Sequence, residues 1–365
     1  MKSKSKRLII IILETLGLSA CMLLSVFPLS CRVSVSGLEI IGTDCKVPVL
    51  ESYEILDENR IVMTFSEEVN LLSSAITEYF DDESQKIETI YSKAEDGRTV
   101  FIDIPDGTEI GRDYVFLGEV ENKWGSSLTF SYRFTGFNNH IPKLILTEIM
   151  DETRRYTKSK IEHKIYEFIE FYALTDGNLS GLKIYSCNDG ESKVFDFPGI
   201  DVNAGDFITV HYRKNSLDGE LCIDEITGDK ALCQAEGASN QSWDFYLDNT
   251  EARFGASQDI VFLENSNNGK ILQAILYSKT GKTDWTKDIF KETHKRCIQD
   301  GVWKGETTIE DAVSFENNAN FQRNNLPEII SAQNTDTLEW PLSSDKNQWD
   351  YFKTANYTPG YCDFF

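Results

Sequence analysis

Histidine and the signatures of common enzyme sites are scarce in this sequence. The 365 residues include four histidines, and they contain no nucleophile elbow, phosphate-binding glycine loop, zinc-protease helix or EF-hand loop. His294 and Cys297 have the spacing of a metal-ligand pair, but no second pair accompanies them. These absences favour a protein that is neither an enzyme nor a zinc protein.

Basic residues are also in deficit. Lys and Arg number 36 against 59 Asp and Glu, and the formal net charge is −23. Because binding to a phosphate backbone needs clustered Lys and Arg, this balance disfavours nucleic acid and anionic membrane surfaces as non-specific partners.

The beginning of the chain has the pattern of an export signal. Residues 2–7 carry four basic side chains, and an apolar run from Leu8 to Leu29 follows. Glu14 and Pro28 interrupt that run, which disfavours a stable membrane span. An uncleaved anchor or a plain signal peptide remains an alternative to a lipoprotein signal.

Two cysteines are candidates for lipidation at the end of this segment. Cys21 fits the bacterial lipobox closely, and Cys31 fits it loosely. We favour Cys31, because cleavage at Cys21 would leave an apolar stub on the mature chain. Residues 1–30 are then a lipoprotein signal peptide and residues 31–45 a polar tether, with Cys21 as the alternative site.

Setting aside Cys21 and Cys31 leaves an even set of cysteines, which in an exported protein can pair completely. The set is Cys45, Cys187, Cys222, Cys233, Cys297 and Cys362. Cys222 and Cys233 flank a short polar loop, and we predict a disulfide between them. Free buried thiols are the alternative.

Two domains follow the tether. In residues 46–141, short apolar runs alternate with turns, and Ile61, Met63 and Phe65 share one strand face by alternation. The motif from Thr64 to Val69 is similar to bacterial Ig-like domains. Residues 142–365 form the second domain, in which the runs around Ile260 and Ile275 predict a hairpin.

The second domain contains an ordered series of motifs. They are Glu148-Ile149, Glu167-Phe168-Ile169-Glu170, Leu179-Ser180-Gly181-Leu182, Ala204-Gly205-Asp206 and Thr358-Pro359-Gly360. This order resembles the lamin tail domain of bacterial lipoproteins, which implies an Ig-like β-sandwich and a binding or scaffolding role. The implied family-signature positions are Glu148, Glu167, Glu170, Gly181, Gly205, Pro359 and Gly360.

Three insertions depart from the lamin tail pattern. They run from Asp151 to Lys164, from about Lys214 to Gln241, and roughly from Gly281 to Asp336.

The signature glutamates are also the first candidates for chemistry. Glu167 and Glu170 are three residues apart on one expected strand, so alternation points them to opposite faces and prevents a catalytic pair. We interpret them as structural positions. A weaker alternative is a calcium site in which Glu148 or Glu170 joins loop aspartates, since calcium needs several convergent oxygens.

The sequence therefore predicts an all-β protein with two Ig-like β-sandwich domains after a signal peptide and a tether. We expect a non-enzymatic protein, lipid-anchored to the outer membrane or cell surface, that has no cofactor and binds a protein or polysaccharide. An exported metal-dependent hydrolase, or a subunit accessory to one, and a purely structural envelope spacer are the alternatives.

Overall fold

The computed structural model describes residues 47–80, 83–151, 154–158, 161–188, 195–214, 221–235, 237–247, 254–316, 320–332 and 338–352. Cys21, Cys31, Cys45, Pro359, Gly360 and Cys362 lie outside these residues.

The strands of the first domain are β1 (Leu50–Asp57), β2 (Arg60–Phe65), β3 (Val69–Phe80), β4 (Glu83–Ile87), β5 (Ile90–Lys93), β6 (Thr99–Asp103), β7 (Asp113–Asn122) and β8 (Ser127–Thr135). They form two four-stranded sheets, in the orders β1-β2-β6-β5 and β4-β3-β7-β8. Ile61, Met63 and Phe65 all point into the core between these sheets, as alternation predicts.

The strands of the second domain are β9 (Leu144–Met150), β10 (Arg154–Lys158), β11 (Ile161–Ile165), β12 (Phe168–Ala173), β13 (Gly177–Asn178), β14 (Leu182–Ser186), β15 (Phe195–Asp196), β16 (Asp201–Val202), β17 (Phe207–His211), β18 (Ser242–Tyr246), β19 (Gln258–Asn265), β20 (Lys270–Lys279), β21 (Val313–Phe315), β22 (Asn320–Arg323) and β23 (Trp349–Phe352). The helices are α1 (Asp288–Gln299) and α2 (Leu326–Ser331), with 3-10 turns at Ile309–Asp311 and Lys346–Gln348. Among the described residues, no helix is both long enough and apolar enough to cross a bilayer.

Two large sheets form the second domain. A six-stranded sheet has the order β18-β17-β12-β9-β22-β23, and a five-stranded sheet has the order β15-β14-β19-β20-β21. Tyr277 of β20 stacks on Phe321 of β22 with ring centroids 4.7 Å apart, so these two residues face each other across the core. The expected hairpin is confirmed as antiparallel β19 and β20. The all-β class is confirmed as well.

Segments within or next to the three insertions add apolar contacts to the outer face of the six-stranded sheet. Ile165, which follows the first insertion, packs with Met150 and Phe168. The second insertion packs Cys222, Cys233 and Ala235 against Tyr246. Leu326 and Ile329 of the third insertion pack with Ile145 and Leu174. Much of the outer face is therefore buried, whereas a minimal sandwich would leave it in solvent.

The outer face of the other sheet is covered by α1. Phe290 and Cys297 of this helix are buried in the main core, and the Arg296 guanidinium lies 5.6 Å from the centroid of the Phe262 ring. The helix is amphipathic, so one stripe packs on the sheet and the other faces water.

The two domains are in contact through backbone atoms at several positions. The Gly111 N–H donates to Ser180 Oγ at 3.1 Å, and the Ile55 N–H donates to the Asn267 carbonyl at 3.1 Å. Gly199 approaches so closely that an added Cβ would lie 2.8 Å from the Gly111 Cα. These contacts place the β19–β20 turn against β1.

The disulfide predicted between Cys222 and Cys233 is not formed in the structure. Both residues are buried, as are Cys187 and Cys297, and no disulfide joins any two of these four cysteines. Cys233 Sγ is instead engaged by the Leu221 carbonyl at 3.2 Å and by Tyr246 Oη at 3.3 Å. The Cys233 thiol therefore contacts both the sheet, at Tyr246, and the start of its own loop, at Leu221, without bonding to Cys222.

Candidate functional site

A row of polar side chains crosses the outer face of the six-stranded sheet, with one residue from each strand. Cross-strand pairing aligns Asp244, Thr209, Glu170, Glu148, Gln322 and Asp350 in that order. We call this set the polar row. Thr209 and Asp244 are fully buried, and Glu148 and Glu170 are each 2% exposed. A buried carboxylate is costly unless it is hydrogen-bonded, so the partners of these groups decide their role.

The two signature glutamates of the polar row are direct cross-strand neighbours. Glu148 Oε1 accepts hydrogen bonds from Asn320 Nδ2 at 2.6 Å and Gln322 Nε2 at 3.3 Å. Glu170 Oε1 accepts from the Thr147 hydroxyl at 2.7 Å. Thr147 occupies a bulge in β9, which turns its hydroxyl toward Glu170. Sequence alternation could not bring Glu148 and Glu170 together, because that requires the strand register.

Glu167 has a different set of contacts. Its carboxylate accepts two hydrogen bonds from Arg213 Nη2, each 2.9 Å long, and the guanidinium lies 4.5 Å from the centroid of the Tyr166 ring. Glu167 and Glu170 thus go to separate partners, in agreement with their odd spacing.

A second buried polar cluster joins the end of the polar row to the second insertion. His211 Nε2 lies 2.6 Å from Asp244 Oδ1, and the ring of His211 stacks on Tyr246 at 4.6 Å. Glu225 accepts from the backbone N–H groups of Cys233 at 2.9 Å and Asp244 at 2.8 Å. Burial, with a smaller contribution from the nearby Asp244 carboxylate and against the two N–H donors, raises the pKa of Glu225 to about 7. The cluster ties the insertion to the sheet.

Sequence reasoning did not find this cluster. The sequence signal was a pair of polar residues two positions apart in each of two otherwise apolar strands. These residues are Thr209 and His211 in β17, and Ser242 and Asp244 in β18. Such alternation ordinarily indicates a solvent-facing side. Here the insertion covers that side.

The two signature glycines lie in turns that require their conformation. Gly181 has φ +79°, and a Cβ there would lie 2.9 Å from Asn267 Oδ1. Gly205 has φ +96°, with Tyr172 Oη the nearest atom at 3.8 Å. Both φ values are in the left-handed region, which favours glycine. The terminal Pro359 and Gly360 lie outside the described residues.

The described residues contain no cluster of three or more His, Cys, Asp or Glu side chains arranged to hold a metal ion. The calcium site at Glu148 or Glu170 stays a prediction.

An open crevice of 440 Å³ lies where the β19–β20 turn meets β1. We call it the interdomain crevice. Its lining is Leu50, Glu51, Ser52, Tyr53, Tyr132, Asn268 and Gly269. It therefore combines aromatic rings from the first domain with a polar turn from the second.

The aromatic floor of the crevice is a close tyrosine pair. The ring centroids of Tyr53 and Tyr132 are 3.8 Å apart, and Tyr53 is 37% exposed. Burial, followed by the hydrogen bond with Tyr53, raises the pKa of Tyr132 well above its usual range. Tyr132 thus stays a neutral phenol at physiological pH. At the rim, Glu51 is held by Arg98 Nη2 at 2.8 Å.

Fold and site together define an all-β protein of two sandwich domains with a shared surface crevice. The family described as the TP_1001 protein second domain matches residues 142–351. The match covers more than half of the chain, so the chain belongs to this family. Among curated proteins, no match was found.

Solved structures with low similarity include two of the bacterial S-layer protein SbsC. Its N-terminal part is 13% identical with a TM-score of 0.23, over 64% of this chain and 44% of that one. SbsC domains 1–6 are 11% identical with a TM-score of 0.23, over 64% and 41%. A DUF4876 family protein from Bacteroides thetaiotaomicron VPI-5482 is 12% identical with a TM-score of 0.21, over 53% and 62%. The chain thus spans less than half of the SbsC structures, and at these TM-scores the similarity supports no inference about function.

Proposed function

We propose that this chain is a non-enzymatic, lipid-anchored envelope protein that binds a polysaccharide in the interdomain crevice. The observation that carries the proposal is the exposed face of Tyr53 beside the polar groups of Glu51, Ser52 and Asn268. A sugar ring presents an apolar face of C–H groups and a rim of hydroxyls. An aromatic platform with hydrogen-bonding groups at its edge is complementary to both.

The contacts of the buried carboxylates support a binding role over a catalytic one. Glu148, Glu167 and Glu170 each accept hydrogen bonds from neighbouring side chains. All three are at most 4% exposed. A general acid or base must come within hydrogen-bond reach of its substrate. A substrate could reach these carboxylates only if the segments packed on the outer face of the sheet moved away.

The anchor and the location derive from residues 1–45 of the sequence. A lipidated Cys31 would hold the two domains at the outer membrane or cell surface, since a lipoprotein cysteine carries more than one acyl chain. Mass spectrometry of the mature N-terminus tests this part separately. An acylated N-terminal Cys31 is the expected result, and a mature chain that begins at Cys21 or with an unmodified residue contradicts it.

Binding is tested with two substitutions in one sheet. Tyr53 lies in edge strand β1, and Tyr91 lies in the opposite edge strand β5 with 56% of its surface exposed. We expect wild type to sediment with insoluble peptidoglycan sacculi in a pull-down, or to migrate more slowly in a native gel that contains soluble O-antigen polysaccharide. Tyr53→Ala should weaken this interaction roughly tenfold, as loss of about 1.4 kcal/mol of aromatic contact would. Tyr91→Ala should bind like wild type.

Two results would overturn the proposal. One is equal binding by wild type and Tyr53→Ala. The other is no interaction with either polysaccharide, which would favour a protein ligand or the spacer role.

A further inference from the structure

The end of the first domain where the described chain begins lies opposite the Gly111 contact with the second domain and next to the Leu50 side of the interdomain crevice. Three turns meet there, at residues 66–68, 94–98 and 122–126, and we call this the distal end. Asn122 Nδ2 donates to Glu67 Oε1 at 3.1 Å, and the Val69 N–H donates to the Gly97 carbonyl at 3.0 Å. Strand β7 begins beside the Gly111 contact with the second domain and ends at this turn, about 30 Å away at ordinary strand rise.

The chain enters the domain at this same end. The Ser66 N–H donates to the Val49 carbonyl at 2.9 Å, and the Val49 N–H donates to Ser66 Oγ at 3.0 Å. Any tether that precedes Val47 therefore emerges beside the turn at 122–126.

This turn presents an exposed tryptophan on a rigid support. Trp124 is 68% exposed. Asn122 Oδ1 accepts from the backbone N–H groups of Trp124 at 3.0 Å and Ser126 at 2.9 Å, which holds the turn closed. Lys123 Nζ lies 5.0 Å from the centroid of the Trp124 ring.

Other exposed apolar side chains accompany Trp124 at the distal end. Val47 is 50% exposed, Val49 is 58% exposed, and Leu72, in the β3 bulge near this end, is 51% exposed. A tryptophan and a lysine beside aliphatic side chains make the composition of a membrane-interface contact, because an indole ring suits the headgroup level of a bilayer.

We propose that the distal end rests on a lipid bilayer, with Trp124 inserted at the headgroup level. The proposal rests on the lipid anchor of the proposed function. Sixteen residue steps separate Cys31 from Val47, so the intervening chain reaches at most about 55 Å. A lipid anchor at Cys31 would therefore hold the distal end within about 55 Å of the bilayer, which makes the bilayer the surface this end meets most often.

The acidic side chains of the distal end determine which kind of bilayer it can approach. Acidic side chains outnumber basic ones at the distal end: Glu67, Glu68, Glu95, Asp96 and Glu121 against Lys93, Arg98 and Lys123. These carboxylates are repelled by an anionic surface. The fitting partner is therefore a zwitterionic lipid such as phosphatidylcholine or phosphatidylethanolamine.

The test measures tryptophan quenching by brominated lipid. Trp243, Trp285, Trp303 and Trp349 are each at most 6% exposed and Trp340 is partly buried, so Trp124 is the most exposed of the tryptophans. Residues 32–365 would be held by an N-terminal histidine tag on vesicles of phosphatidylcholine, dibromo-phosphatidylcholine and nickel-chelating lipid. This arrangement does not require lipidation of Cys31.

We expect the brominated lipid to quench wild type and the control Trp340→Phe, and to leave Trp124→Phe unquenched. Equal quenching of wild type and Trp124→Phe would overturn the proposal, as would the absence of quenching. Protection of Trp124 from acrylamide without vesicles would assign the surface to a second copy of the chain, which also overturns it. Failure of lipidation at Cys31 would appear only in the mass of the mature N-terminus, so the two proposals fail separately.

Discussion

His211 Nε2 lies 2.6 Å from Asp244 Oδ1, across the parallel pair of strands β17 and β18. The two residues are 3% and 0% exposed. Asp244 Oδ2 also accepts from the Ser239 N–H at 2.9 Å, so one carboxylate joins the sheet to the end of the second insertion. The connection between these parallel strands is the insertion itself. The pair therefore stabilises the cover of the polar row.

Asp244→Ala should lower the free energy of unfolding by about 3 kcal/mol, because it leaves a buried imidazole and a backbone N–H without their acceptor. Asp350→Ala is the matched control, since Asp350 belongs to the same row but is exposed. It should cost less than about 0.5 kcal/mol. Urea unfolding measures both. A folded Asp244→Ala protein that loses polysaccharide binding would contradict the structural role.

The stability should depend on pH through Glu225. Burial raises its pKa from an ordinary 4.5 to about 7. Between these two values the unfolded chain has released the proton and the folded chain retains it. The free energy of unfolding contributed by Glu225 therefore falls as the pH rises from about 4.5 to about 7, by roughly 3 kcal/mol at most, and is constant above.

Two other groups titrate in overlapping ranges. Burial raises the pKa of Asp259 to about 6, which adds a loss of the same sign at lower pH. Burial lowers the pKa of His294, which has the opposite effect below about 6.5. The measurement is therefore the difference between wild type and Glu225→Gln in urea unfolding at pH 5, 6 and 7.5. Between pH 6 and 7.5, wild type should lose roughly 1 kcal/mol relative to the variant. Glu292→Gln is the exposed control, and the difference in unfolding free energy between wild type and this control should not change with pH. A pH-independent difference between wild type and Glu225→Gln would refute the prediction.

The two signature glycines should differ in their tolerance of alanine. Gly205→Ala should cost about 1–2 kcal/mol, since its penalty is the positive φ alone. Gly181→Ala should cost more, because its Cβ must also displace the buried Asn267 side chain from 2.9 Å. Urea unfolding of the two variants gives the comparison. An equal or reversed order would show that Asn267 moves freely.

Strand alternation made much of the fold predictable. The shared face of Ile61, Met63 and Phe65, the β19–β20 hairpin and the separate partners of Glu167 and Glu170 all follow from local sequence. The Cys222–Cys233 disulfide was not found, because proximity in sequence does not fix where a thiol points.

The sequence by itself determined the all-β class, since alternation and turn residues act over a few neighbouring positions. Only the tertiary structure decided that residues of the second and third insertions cover the outer face of the six-stranded sheet and that Glu148 meets Gln322, 174 residues away. Such contacts depend on the register of strands distant in the chain, and a shift of one residue would turn every side chain of a strand to the opposite face.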